Sequence, residues 1–392
     1  MKKILLISYY FTPCEAIGTK RWSEFFQLFD NDTDFEITVL TANWAGERLP
    51  HKNIIYIGDE IEFSPFQSIN REFTFLDIIK HPSTFLRSLD RKIIGDQWYL
   101  NAKNWINDNK DLNYEIVIAS YTPINAIRLG TYAAEVFDSQ YIVDMRDMMS
   151  IQGQKIKAPV INYFDNLIDR FWLSKADRIL SVGPTICEKA SQFYKKEVNL
   201  IYNAFLAKDL IEKTANKIEK KVVFSYLGTM GIKRNPRGLL ILLNEYAKQN
   251  DEIVIEINFA SQDNPFEFIN DINIDRIKIN WLGYLDKKSI LALKNKTNSF
   301  ILLEDMDIKG KENVTGKVFE YMLEQKPILA FCHEDSDIKE ILQHSQTGNI
   351  VTTYEMLDTF MDILISNRFH MDNNKILEFS RENQYAKLKK LL

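Results

Sequence analysis

Cysteine is scarce in this chain. The three present, Cys14, Cys187 and Cys332, lie too far apart in sequence for a metal cluster or a disulfide framework, which suits a reducing compartment. The five histidines, His51, His81, His333, His344 and His370, show no ligand spacing, so no metal is expected. No apolar run reaches the roughly 18 residues of a membrane span. The N-terminal MKKILLISYYF meets Thr12-Pro13 without a small-residue cleavage site and reads as a buried strand, not a signal peptide. Excess positive charge is missing too. The formal net charge is -5, which gives nucleic-acid binding no global support. The nucleophile elbow G-x-S-x-G does not occur, since Ile179 stands where Ser181 would need a glycine before it, and covalent hydrolase chemistry loses its usual signature.

What is present is a chain of 392 residues, 45% hydrophobic, long enough for two domains. Short apolar runs recur, each followed by a turn and a helical pattern. Strands are expected at 3–9, 36–42, 116–120, 141–145, 178–182 and 199–202. A second series follows at 222–228, 253–260, 277–283, 299–304, 327–331 and 349–353. Runs apolar on both faces suit strands buried between helix layers. Trp22, Phe25, Phe26 and Phe29 fall at helical spacing after the first strand. Alternation of this kind predicts parallel, doubly wound α/β sheets. The expected domains are 1–205 and 222–375, joined by a polar linker at 206–221, with a helix at 376–392 that docks back on the first domain.

The stretch KENVTGKVFEY, 311–321, concentrates chemistry. A strand ends near Glu304, a polar loop follows, and Thr315 stands where a helix N-cap belongs. A helix start offers free N–H groups and partial positive charge, which suit phosphate. Gly316 allows close approach, and Lys317 adds a full charge. Glu312 and Glu320 flank that start. Carboxylates accept hydrogen bonds from sugar hydroxyls, so the stretch reads as a site for a sugar, a diphosphate and a nucleoside.

This span, Glu312 to Glu320, resembles the E-x7-E motif of retaining GT-B glycosyltransferases, specifically glycosyltransferase family 4. GKVFEYMLEQKPILAF resembles that family's GK-x-FEY…KPIL segment. ISYYFTPCEAIGTKRW, VDMRDM, ADRILSVGPTICEKA, IYNAF, YLGTMGIKRNPRGLL and WLGYLDKKSI resemble further segments in the same order, covering nearly the whole chain. The resemblance implies a GT-B fold, two Rossmann-like domains facing a central cleft. It implies transfer of a sugar from a nucleotide-sugar donor to a glycan or lipid-linked acceptor with retention, in cell-surface polysaccharide biosynthesis. No cofactor besides the donor substrate is implied. Carried over by position, Glu320 would bind the ribose and Glu312 the donor sugar. Lys317, with one of Lys233, Arg234 and Arg237, would hold the diphosphate at the Gly228-Thr229 loop and at Thr315-Gly316. Gly18 would permit close donor approach, and Asp147 would face acceptor or donor sugar. The alternatives are a nucleotide-sugar 2-epimerase-like isomerase of the same fold and a non-catalytic GT-B-like binding protein.

Asp305-Met306-Asp307 is a D-x-D, read as a solvated loop and not as a metal site. The segment 78–106 carries five Lys/Arg and two Asp among Phe85, Trp98, Tyr99 and Trp105. A basic, aromatic face of this kind suits an anionic leaflet. The expected location is the cytoplasm, with peripheral contact on the inner face of the cell membrane.

Overall fold

The computed structural model describes residues 1–16, 18–62, 96–146, 159–211, 218 and 220–392, with backbone alone for 159–165 and for residue 309. The candidate Asp147, the stretch 78–95 and most of the expected linker lie outside the described residues. The chain divides into two compact units. One comprises Met1–Tyr202 and Tyr385–Leu392, the other Asn203–Gln384.

The first unit holds a seven-stranded parallel sheet of order β3-β2-β1-β4-β5-β6-β7. Its strands are β1 (Lys2–Ser8), β2 (Phe35–Trp44), β3 (Ile54–Ile61), β4 (Ile116–Tyr121), β5 (Gln140–Met145), β6 (Arg178–Ser181) and β7 (Val198–Leu200). Helices cover both faces. They are α1 (Thr19–Asp30), α2 (Gln97–Asp108), α3 (Ile124–Phe137), α4 (Pro159–Leu173) and α5 (Pro184–Tyr194). Trp22, Phe25 and Phe29 of α1 are wholly buried, as their spacing demands. They pack on Ile4, Leu6, Ile37 and Ile118, one face of the sheet. Leu5, Ile7, Val117 and Val143 face the opposite layer. Strands buried on both sides read as continuous apolar runs, which is why β1 and β4 stand out in the sequence.

β3 is not among the expected strands. Its inward residues Ile54 and Ile57 are followed by Gly58-Asp59-Glu60, all exposed. An edge strand buries little, so its pattern is weak.

The second unit holds a six-stranded parallel sheet of order β10-β9-β8-β11-β12-β13. Its strands are β8 (Lys221–Leu227), β9 (Val254–Ala260), β10 (Ile277–Trp281), β11 (Ser299–Leu303), β12 (Ile328–Phe331) and β13 (Gly348–Ile350). Its main helices are α6 (Arg237–Gln249), α7 (Lys287–Lys296), α8 (Gly316–Leu323), α9 (Asp337–Ser345) and α10 (Tyr354–Ile365). The short α11 (Asn373–Leu377) precedes α12 (Arg381–Lys389). From Tyr385 onward the chain belongs to the first unit, where Leu388 is buried and Tyr385 and Lys389 bond Asp32.

In each sheet the strand order reverses beside the first strand, at β1/β4 and at β8/β11. Connections leave in opposite directions there, which opens a crevice at the carboxyl ends of the strands.

Candidate active site

In the second unit β8 ends at Leu227 and β11 at Leu303, on the two sides of that crevice. Three segments converge on it. Gly228 follows β8, Glu304 follows β11, the 229–236 loop precedes α6, and α8 begins at Gly316.

Thr315 caps α8, its hydroxyl accepting from the Lys317 N–H at 3.5 Å. Val318, Phe319 and Met322 anchor the helix in the core. Gly316 is exposed, and the space where a side chain would stand holds no protein atom within 4 Å. The helix start is therefore open to a ligand.

Lys317 turns into the protein and not out to water. Its ammonium donates to the Tyr226 hydroxyl at 3.4 Å and lies 4.8 Å from the centre of that ring. It passes directly over Gly228, where an added Cβ would collide with Nζ and Cε. Gly228 also has φ +137°, a conformation L side chains rarely adopt. Burial holds the Lys317 ammonium down at about 8, and the Arg234 guanidinium pushes the same way against Glu304 and Glu320.

Arg234 binds Glu304 through Nε at 3.0 Å and Nη2 at 2.9 Å. Glu304 is almost wholly buried. Burial pushes its carboxyl above the usual range, opposed by Arg234, Lys317 and the Thr315 hydroxyl. The buried carboxylate thus holds Arg234 and attracts Lys317 beside the helix start. Tyr321 fixes the strand exit, its hydroxyl accepting from Leu227 N–H at 3.1 Å while its ring stacks on Phe300 at 4.6 Å.

The three basic candidates are not equivalent. Arg237 is taken by Asp271 and by the Phe268 carbonyl. Lys233 stands 3.5 Å from Asp305, the first carboxylate of the D-x-D. Arg234 alone of the three faces Lys317 through Glu304. Thr229 is exposed at the loop tip. Glu312 is buried in the loop ahead of α8, whereas Glu320 is exposed one turn inside that helix. Among the described residues no group of three or more His, Cys, Asp or Glu side chains could hold a metal ion.

Glu304, Tyr226 and Tyr321 are not singled out by the sequence. Glu304 carries a signal, a charge ending an apolar strand. The tyrosines carry none, because each reads as core.

In the first unit, Gly18 precedes α1, but the room it leaves is occupied. An added Cβ would meet the Arg146 guanidinium at 2.5–3.1 Å. Arg146 Nη2 also donates to the Tyr121 carbonyl at 3.4 Å. Two residues earlier, the fully buried Asp144 receives Arg21 Nε at 3.0 Å, Arg21 Nη2 at 2.9 Å and Trp22 Nε1 at 2.7 Å. Arg21 Nη1 donates to the carbonyls of Ile201 and Tyr202. The first aspartate of VDMRDM is therefore a structural clasp between α1 and β5.

No protein-family model matches the chain, and no curated protein matches it in sequence. Solved structures do resemble it. Sucrose-phosphate synthase from Thermosynechococcus elongatus aligns over 100% of this chain and 98% of its own, at 14% identity and a TM-score of 0.62. A glycosyltransferase from Rickettsia africae ESF-5 aligns over 100% and 97%, at 13% identity and a TM-score of 0.61. A putative UDP-N-acetylglucosamine 2-epimerase from Listeria monocytogenes aligns over 99% and 95%, at 13% identity and a TM-score of 0.50. The shared feature is architecture: this chain has the GT-B fold, two units each built on a parallel sheet.

Proposed function

We propose that the protein is a retaining glycosyltransferase of the family 4 type, which takes a sugar from a nucleotide-diphosphate-sugar and passes it to a glycan or lipid-linked acceptor. The observation that carries this reading is the pair of cations at the open start of α8, Arg234 bonded to buried Glu304 and Lys317 seated on the Tyr226 hydroxyl. When the glycosidic bond breaks, negative charge collects on the departing diphosphate. Preorganised cations and N–H dipoles stabilise that charge, and losing one such contact costs about 2.7–4 kcal/mol of barrier. Both cations approach in a partly water-excluded setting, where their field is least screened.

The further roles follow from position. Glu320, exposed on α8, is suited to accept from ribose hydroxyls, and Glu312, in the loop ahead of Thr315, from hydroxyls of the donor sugar. Gly228 and Thr229 line the phosphate approach, with Lys233 at its rim. Asp147 remains the candidate to face the acceptor or the donor sugar. Gly18 serves by making room for the Arg146 guanidinium.

The epimerase reading shares this donor site, and the 2-epimerase neighbour keeps it in view. It needs no acceptor, so conversion of the donor by pure protein alone would select it. For the donor site itself, Glu320→Ala should weaken nucleoside diphosphate binding about tenfold by calorimetry, equivalent to about 1.4 kcal/mol. Unchanged affinity would remove Glu320 from the ribose contact.

A further inference from the structure

The chain crosses between the two units twice, after Tyr202 and after Gln384. The segments beside the two crossings are joined to each other within the second unit. Phe205 bridges Ser380, and the Arg381 N–H donates to the Phe205 carbonyl at 2.6 Å. Arg381 Nη2 donates to the Ala204 carbonyl at 3.1 Å, and the Glu382 carboxylate accepts from the Ala207 N–H at 2.9 Å.

This junction is seated on the far end of α8. Ile211 gives that end both of its backbone groups. Its N–H donates to the Leu323 carbonyl at 3.2 Å, and its carbonyl accepts from Gln325 Nε2 at 2.6 Å. Beside the other crossing, the Phe379 ring lies 5.9 Å from that of Phe319 in α8. Gln325 stands just past the helix with φ +47°, where glycine is the usual residue. It is only 5% exposed. A glycine there would relieve the backbone but could not reach Ile211, so the strained conformation is kept together with the bond it permits.

We propose that Gln325 is a positioning residue that couples the diphosphate site at the start of α8 to both chain crossings, a proposal that rests on the donor reading of that site. α8 has eight residues and spans about 12 Å, little more than two turns. A helix that short orders and frays as one unit. A phosphate at its start complements the helix dipole and steadies the far end as well. The Leu323 carbonyl, one of those the helix itself leaves open, then becomes a firmer acceptor for Ile211. Gln325 holds the second half of the same link. Coupling of this kind is reciprocal, so loosening the junction weakens nucleotide binding by the factor with which binding tightens the junction.

The test is hydrogen exchange of the full chain, read by mass spectrometry, with uridine, guanosine, adenosine and thymidine diphosphates in turn. A diphosphate that protects 315–321 should also slow exchange at 203–211 and 377–384 about fivefold. Gln325→Met keeps the side-chain volume and loses the bond to Ile211. It should keep the protection at 315–321, lose it at 203–211, and bind the diphosphate about fivefold more weakly. Gln325→Gly suits the backbone and should behave the same way, which separates uncoupling from a folding defect. A merely structural Gln325 would lower the melting temperature of the Met variant and leave ligand protection at 203–211 in place. Protection at 315–321 that does not reach 203–211 in the wild-type protein, or that still reaches it in either variant, would overturn the coupling and leave the donor site standing. Absence of protection at 315–321 with all four diphosphates would overturn the donor reading and the coupling with it.

Discussion

Gly228 illustrates how one residue can be required twice. Its positive φ excludes most side chains, and its missing Cβ makes the passage for Lys317. Gly228→Ala should therefore behave like a lesion of Lys317. We expect at least a tenfold loss of nucleoside diphosphate affinity by calorimetry, together with a fall in melting temperature. A variant that melts earlier yet binds normally would show that Lys317 does not depend on this passage.

Lys317 itself predicts a pH dependence. Its ammonium titrates at about 8 because burial disfavours the charged form. Below pH 8 the cation is present and diphosphate affinity should be full. As pH rises through 8 the free protein loses the cation, and binding must then take up a proton. Affinity should fall above pH 8, with heats that depend on the buffer's ionisation enthalpy. Lys317→Met should show weaker binding and no such dependence. The linked stability has the opposite sense. Unfolding restores an ordinary lysine, so the unfolded chain binds more protons between about 8 and the usual lysine range, and this group's contribution to stability rises with pH there.

At the scale of the element, α8 joins site and core. Val318, Phe319 and Met322 hold it against the sheet, and Thr315 holds its first turn. Thr315→Ala should cost about 1 kcal/mol of stability by denaturant titration, the usual worth of an N-cap. It should also loosen the N–H groups offered to phosphate, so affinity should drop with it. Loss of stability with unchanged affinity would separate the cap from the site.

The sequence is most legible at this scale. Strands buried on both faces show as apolar runs, and the N-cap and the 3.6-residue spacing mark α8 from residue order alone. β3 escapes because an edge strand buries only part of one face, and its second half carries Gly58, Asp59 and Glu60. The site is legible where residues lie within one segment, as Thr315, Gly316 and Lys317 do. It is not legible where distant segments meet. Arg234 cannot be told from Lys233 or Arg237 by pattern, because only the fold reveals that Asp271 takes Arg237 and Glu304 takes Arg234. Tyr226 and Tyr321 look like core residues until their hydroxyls are seen at the β8 exit.

At the scale of the whole molecule, two parallel sheets repeat one device, a reversal of strand order that opens the carboxyl edge. In the first unit that edge is occupied by Arg146 over Gly18, braced by the Arg21–Asp144 clasp. In the second unit the start of α8 is left open, with Arg234 on Glu304 and Lys317 on Tyr226 beside it. The similarity to sugar-transferring enzymes at 13–14% identity rests on this architecture and not on shared residues.

The most direct measurement is a crystal structure of the full chain with a nucleoside diphosphate chosen by thermal shift. The account predicts the terminal phosphate against the N–H groups of Gly316 and Lys317, with Lys317 Nζ and Arg234 on its oxygens and the ribose on Glu320. A nucleotide bound away from α8, or one whose phosphates leave both Lys317 and Arg234 untouched, would contradict it.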